Sequence, residues 1–232
     1  MSKKILRRTL FAIPALLLVY LAIAAFWAHL SVDELLAGYP APISAALSQR
    51  QQDILLKIED PTFFTHSGLS LADGQGVTTI TSAIARDVLL EGGELGGIKG
   101  AFQNLYRGVF ACCKKVDFGR DVMALVLNRH LDKQRQLDLY VSRVYMGTAD
   151  GVQVKGLDLA SSIYFKKPLT ELAEADFIGL VAMIKAPNKF HPLRQPGSYQ
   201  VRRALAAKMI SGLCQPKGWF DTTYDNCNVA ID

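Results

Sequence analysis

Leu10 to Ala28 is a run of nineteen residues without a charge, broken only by Pro14 and preceded by Lys3, Lys4, Arg7 and Arg8. No feature of the chain restricts it more. At helical rise the run covers roughly 28 Å, close to the hydrocarbon thickness of a bilayer, and a basic flank is held on the cytoplasmic side. The sequence therefore predicts a cytoplasmic tail over 1–8, a transmembrane anchor over 9–30 and an exported body beyond. A cleavable signal peptide is the competing reading, since Ala22, Ala24 and Ala25 offer small-residue sites, but the run exceeds an ordinary signal core.

The remainder of the 232 residues suffices for one domain with a sizeable core. A net charge of +5 suits an anionic surface or substrate. Nucleic acid is disfavoured, because no basic stripe interleaves with aromatic residues. The four cysteines lack metal-ligand spacing. Cys214 and Cys227 flank a tail containing Pro216, Gly218 and Trp219, and pairing them would staple a segment (214–232) with little other reason to stay folded. Cys112 and Cys113 are adjacent, a spacing that rarely bridges.

From Pro40 onward helical periodicity dominates and no period-two alternation stands out, so the expected fold is mainly α, with helices near 43–59, 79–90, 98–111, 119–131, 134–146, 156–164, 171–185 and 198–213. The segment EDPTFFTHSG, 59–68, carries the strongest chemistry. Ile54, Leu55 and Ile58 recur at helical spacing, and Pro61 forbids continuation, which puts Glu59 in a last helical turn. The negative helix end and burial near Phe63 and Phe64 disfavour the charged carboxylate and tune it towards general base or acid work. Asp60 and His66 lie close in sequence. The bland alternative is a surface glutamate at a fraying end and a satisfied core histidine.

In GVTTITSAIAR, 76–86, a glycine and threonines precede a helix, so amides near Thr79 to Thr81 with the hydroxyls of Thr78, Thr79 and Thr81 suit an anion, and Arg86 follows two turns along the face of Thr79. Ordinary capping explains the threonines equally well. Residues 91–100, EGGELGGIKG, lack the ending of a phosphate-binding P-loop. Phe102, Leu105, Tyr106, Val109 and Phe110 form an apolar stripe suited either to the core or to the outer leaflet. Leu137, Tyr140, Val141 and Val144 form another stripe that, taken alone, is core.

These blocks, in this order, resemble the peptidoglycan glycosyltransferases: the monofunctional transglycosylases and the glycosyltransferase domain of class A penicillin-binding proteins. The resemblance covers roughly 45–212. The family's EDxxFxxHxG block is matched by Glu59, Asp60, Phe63, His66 and Gly68, and its G-x-[ST]-T-[IL]-T start by Gly76, Thr78, Thr79, Ile80 and Thr81. Ser82 and Ala83 then replace paired glutamines, Arg86 a lysine and Asp87 an asparagine. Lys133 to Gly147 resembles KxxILxxYLNxxYxG, with Ser142 in place of the asparagine.

The resemblance implies a lysozyme-like, mainly α glycosyltransferase domain over 31–213, with a sugar-polymer groove and a membrane-dipping hydrophobic lobe. It implies lipid II and the growing glycan strand as partners in an inner-membrane, periplasm-facing enzyme of cell-wall biosynthesis. Glu59 would be the base on the acceptor hydroxyl, with undecaprenyl diphosphate leaving. Substrate contacts would come from Asp60, Phe63, His66, Gly76, Thr78, Thr79, Thr81, Arg86, Lys133 and Tyr140, and a divalent cation, Mg or Mn, is an expectation at the diphosphate.

The family's RKxxE block is the main departure. Ungapped counting puts Arg120 at its glutamate and Val116 and Asp117 at its basic pair. Lys114, Lys115 and Asp121 supply similar charges nearby, Asp121 being the candidate second carboxylate. Alternatively, Asp117 and Arg120 form a swapped ion pair without catalysis. Two functional readings follow: a working polymerase, or a weakened homologue that binds lipid II or glycan and regulates or scaffolds wall synthesis together with other cell-wall proteins.

Overall fold

The computed structural model describes residues 3–39, 47–72, 78–112, 118–219 and 221. The chain is mainly helical and divides into two compact units: residues 1–40, 67–69 and 81–132 in the first, residues 41–66, 70–80 and 133–232 in the second.

In the first unit α1 is continuous over Lys3–Leu36 and carries a span apolar enough to cross a membrane, Phe11–Leu36. Its early part exposes Phe11, Ile13, Leu16 and Leu18, as a lipid-facing helix would. Its later part is different. Ala24, Ala28 and Val32, with Trp27, Ser31 and Leu35, recur at three- and four-residue spacing and are buried against α4 (Gly97–Cys112), α5 (Phe118–His130) and the turn at 86–91. Trp27 Nε1 donates to the Lys99 carbonyl at 2.9 Å and stacks at a tilt on Tyr106, ring centroids 5.4 Å apart. The boundary expected at residue 30 thus falls inside a helix whose second half is core.

The helix expected over 79–90 is α3 only over Ile80–Ala85 and then widens into a π-helical turn, Arg86–Glu91. Side chains serve carbonyls in the widened turn: Tyr39 OH donates to Asp87 O at 3.0 Å, Gln103 Nε2 to Leu89 O at 2.9 Å and Arg107 Nε to Leu90 O at 2.6 Å. On α4 the expected apolar stripe splits. Tyr106 is buried, whereas Leu105 and Val109, together with Ile98, are exposed; the Phe110 side chain lies outside the described residues.

The second unit is built on α8 (Glu174–Met183), in which Phe177, Leu180, Val181, Ala182 and Met183 have at most 1% exposure, so the helix is enclosed on several faces and packs on α2 (Gln49–Glu59), α7 (Leu157–Phe165) and α9 (Pro196–Ile210). A capping box starts α2, with Gln51 N donating to Ser48 Oγ and Ser48 N to Gln51 Oε1.

One expectation fails outright in this unit. The helix expected over 134–146 ends at Arg143 (α6, Lys133–Arg143), and the chain turns into a β-hairpin, β1 (Tyr145–Ala149) against β2 (Val152–Lys155), antiparallel with Ala149 opposite Val152. Asp150 and Gly151, both at positive φ, form its two-residue loop, the Asp-Gly turn that matches strand twist. Gly156 closes the hairpin, since a side chain there would meet the Ser142 carbonyl at 2.5 Å.

Candidate active site

Glu59 is the last residue of α2, and Asp60 caps the helix with extended φ −157° before Pro61 turns the chain away. The apolar face of α2, Ile54, Leu55 and Ile58, is buried and draws Glu59 partly inward with it. Burial pushes its carboxyl up to about 7, against the pull of the Arg202 guanidinium, the Tyr140 hydroxyl and the Lys185 ammonium, while Asp60 adds to the rise. Tyr140 OH donates to Glu59 Oε2 at 3.2 Å. Burial beside Arg202 in turn lowers the Lys185 ammonium. The result is a carboxyl that divides between its acid and base forms near neutral pH.

Asp60 has the opposite surroundings although it is the next residue. It is fully buried, accepts from the Ile80 amide at 2.9 Å and lies 3.0 Å from His66 Nε2, so it ties the 60–66 loop to the start of α3. His66 is the satisfied core histidine of the bland reading, with its side chain 7% exposed. Phe63 is 1% exposed, edge-on to Phe64 and beneath Lys133, whose Nζ is 4.5 Å from the ring centroid. Burial lowers the Lys133 ammonium, partly offset by Asp60. Of the residues expected at the substrate, Asp60 and Phe63 are buried and His66 is half-buried.

Thr79 and Thr81 are buried, and only Thr78 is exposed; the amide of Ile80 is already taken by Asp60. In the first unit, Arg86 pairs with Glu91 at 3.3 Å. Arg120 pairs with its neighbour Asp121, Nη2 to Oδ1 3.3 Å; Asp117, the other candidate partner, lies outside the described residues. Gly76, Lys114, Lys115 and Cys227 also lie outside them; Cys214 is buried and disulfide-bonded. Lys185 and Arg202 entered no motif, and no local pattern marks them; their role rests on α8 and α9 packing on α2.

Residues 40–210 match the family described as Transglycosylase. The chain belongs to the transglycosylase family. It is similar to penicillin-binding protein 1B of Vibrio cholerae (30% identity over 172 residues, 68% of this chain and 20% of that protein) and of Escherichia coli (30% over 161 residues, 68% and 18%). A third relative, penicillin-binding protein 1B of Buchnera aphidicola from Acyrthosiphon pisum, is 32% identical over 158 residues, 67% of this chain and 20% of that protein. The chain thus spans about one fifth of the length of the curated relatives it matches. Within this transglycosylase chain, the second unit brings Glu59, Asp60, Phe63, His66, Lys133 and Tyr140 together, while Arg86 and Asp121 belong to the first.

Proposed function

We propose that the chain is a peptidoglycan glycosyltransferase that polymerises lipid II into β-1,4-linked glycan, with Glu59 as general base. The observation that carries this reading is the Glu59 carboxyl raised to about 7 on a helix end that matches the family's acidic block. In the proposed reaction, ionised Glu59 accepts the proton of the acceptor's GlcNAc 4-hydroxyl as that oxygen bonds to the anomeric carbon of the growing strand's terminal MurNAc. The bond to the diphosphate oxygen breaks, undecaprenyl diphosphate leaves with the electron pair, and the anomeric centre inverts. Tyr140 OH fixes the rotamer of the base. Arg202 and Lys185 keep enough of the carboxyl ionised to work, since burial alone would hold it neutral.

The departing diphosphate needs positive charge, for which Arg86, Lys114 and Lys115 are the candidates from sequence. The described residues do not fit a protein-built site for the divalent cation expected there. Asp121 is engaged by Arg120, and no group of three or more His, Cys, Asp or Glu among the described residues could hold a metal. The proposed steps therefore use the chain's own groups. The exposed apolar residues of α1 and of α4 support an anchored enzyme whose first unit meets the outer leaflet, with the domain on the periplasmic side of the inner membrane.

The second reading, a homologue that binds lipid II without polymerising it, is favoured by the Arg120–Asp121 pair where the family carries a glutamate. Incubating the detergent-solubilised chain with labelled lipid II separates the two: polymer supports the enzyme, and saturable binding without polymer supports the binder.

A further inference from the structure

α1 and α5 present two imidazoles to each other outside the proposed chemistry. His29 Nδ1 lies 3.1 Å from His130 Nε2, with ring centroids 5.2 Å apart and planes tilted by 59°, so the rings meet at nitrogen and do not stack. His130 uses its other nitrogen as well: Nδ1 is 3.0 Å from Asp33 Oδ1. An ionised carboxylate only accepts, so that Nδ1 carries the proton and the Nε2 of a neutral His130 is a bare lone pair aimed at His29. A single hydrogen then stands between the two facing nitrogens.

The same two nitrogens can share a metal ion held to one side of the line between them. Two imidazole nitrogens at the Zn–N distance of about 2.0–2.1 Å on a tetrahedral ion stand about 3.3 Å apart, a few tenths from the separation seen here. A carboxylate on the far nitrogen is also the usual companion of a metal-bound histidine, fixing its tautomer and orientation. Helical geometry supplies it, because Asp33 follows His29 by four residues and so shares its face of α1. No protein group covers the place: His29 is exposed, and the Asp33 side chain is 81% exposed.

We propose that His29 and His130 form a two-imidazole site for a late first-row divalent metal, Zn2+ or Cu2+, with Asp33 orienting His130 and solvent completing the coordination. With two protein ligands the site is open and exchangeable, unlike a closed structural centre. Imidazole donors select against Mg2+ and Ca2+, which require oxygen. Bound metal would clip α1, where its apolar run ends, to the last turn of α5, the helix whose first turn carries Arg120 and Asp121.

The untagged, metal-stripped full chain in detergent micelles is titrated with Zn2+ by calorimetry and loaded with Cu2+ for pulsed electron paramagnetic resonance. The expected result is one equivalent of Zn2+, with Mg2+ unable to compete. His29→Ala and His130→Ala should each weaken binding by more than about tenfold, and Asp33→Asn by about 10–100-fold. The Cu2+ spectrum should show two coupled imidazoles in the parent and one in each single variant. A Zn2+-induced rise in Tm in the parent, absent from variants with an unchanged metal-free Tm, separates loss of the site from loss of the fold. Absence of saturable Zn2+ binding in the parent, or equal binding by the double variant through the buried His66 and His191, overturns the proposal.

Discussion

The end of α2 and the start of α5 each set a carboxylate among basic groups, with different consequences. Glu59 has its cations, Arg202 and Lys185, acting on it electrostatically and one hydroxyl within hydrogen-bond distance, so desolvation wins and the carboxyl rises to about 7. Asp121 has a guanidinium at 3.3 Å on the adjacent residue, and its side chain is 19% exposed. A carboxylate engaged that closely is tied up in its ion pair; one desolvated with its counter-charges held back is able to exchange a proton. The two carboxylates therefore differ: Glu59 is desolvated and able to exchange a proton near neutral pH, whereas Asp121 is held in an ion pair.

Removing proton acceptance at Glu59 should have the largest effect. Glu59→Gln keeps shape and hydrogen bonding, and polymerisation of labelled lipid II should fall by about 10²–10⁴-fold while lipid II binding stays near parental. Next in size is the buried aspartate beside it. Asp60→Ala strands the Ile80 amide and His66, and chemical denaturation should show a loss of about 3–5 kcal/mol.

Glu59 should also show its strain in stability. Its folded pKa, about 7, lies above its ordinary 4.5, so the unfolded chain ionises first as pH rises. Stability is therefore greatest below about 4.5 for this group and declines through the window up to about 7, by up to about 3 kcal/mol. Glu59→Gln should be more stable than the parent at pH 8 by a similar amount and equal to it near pH 4; equal stability at both would mean the carboxyl is not desolvated. The smallest effect belongs to the other region. Asp121→Asn should change turnover by less than about tenfold, and a larger fall at unchanged stability would make Asp121 a second working carboxylate.

Much of this divergence was legible in the sequence, and the reason is locality. Ile54, Leu55, Ile58 and Pro61 place Glu59 at a helix end within a few residues of chain. The bond from the Ile80 amide to Asp60 could not be read so, since Ile80 is twenty residues away, and neither could Lys185 or Arg202, which reach Glu59 only because α8 and α9 pack on α2. The hairpin at 145–155 carried its own signal in Asp150-Gly151, but Val144 continued the helical stripe of Leu137, Tyr140 and Val141 and hid the exit from α6. At α1, the run without charges ends at Ala28, yet Val32 and Leu35 keep the same spacing and carry the helix to Leu36; the polar residues between them hid that continuation. The burial of Thr79 and Thr81 was not legible, because hydroxyls at a helix start look alike in sequence whether they meet a ligand or the interior.

The most direct test of the account is the pH dependence of lipid II polymerisation at saturating substrate, measured for the parent and for Tyr140→Phe. If Glu59 is a desolvated general base, the parental rate rises with pH to a plateau with a midpoint near 7. Removing the Tyr140 hydroxyl, which favours the charged form, should move that midpoint upward with little change in the plateau. A parental rate that does not vary between about pH 5.5 and 8.5, or a midpoint that falls in Tyr140→Phe, would contradict the assignment of Glu59 as the base.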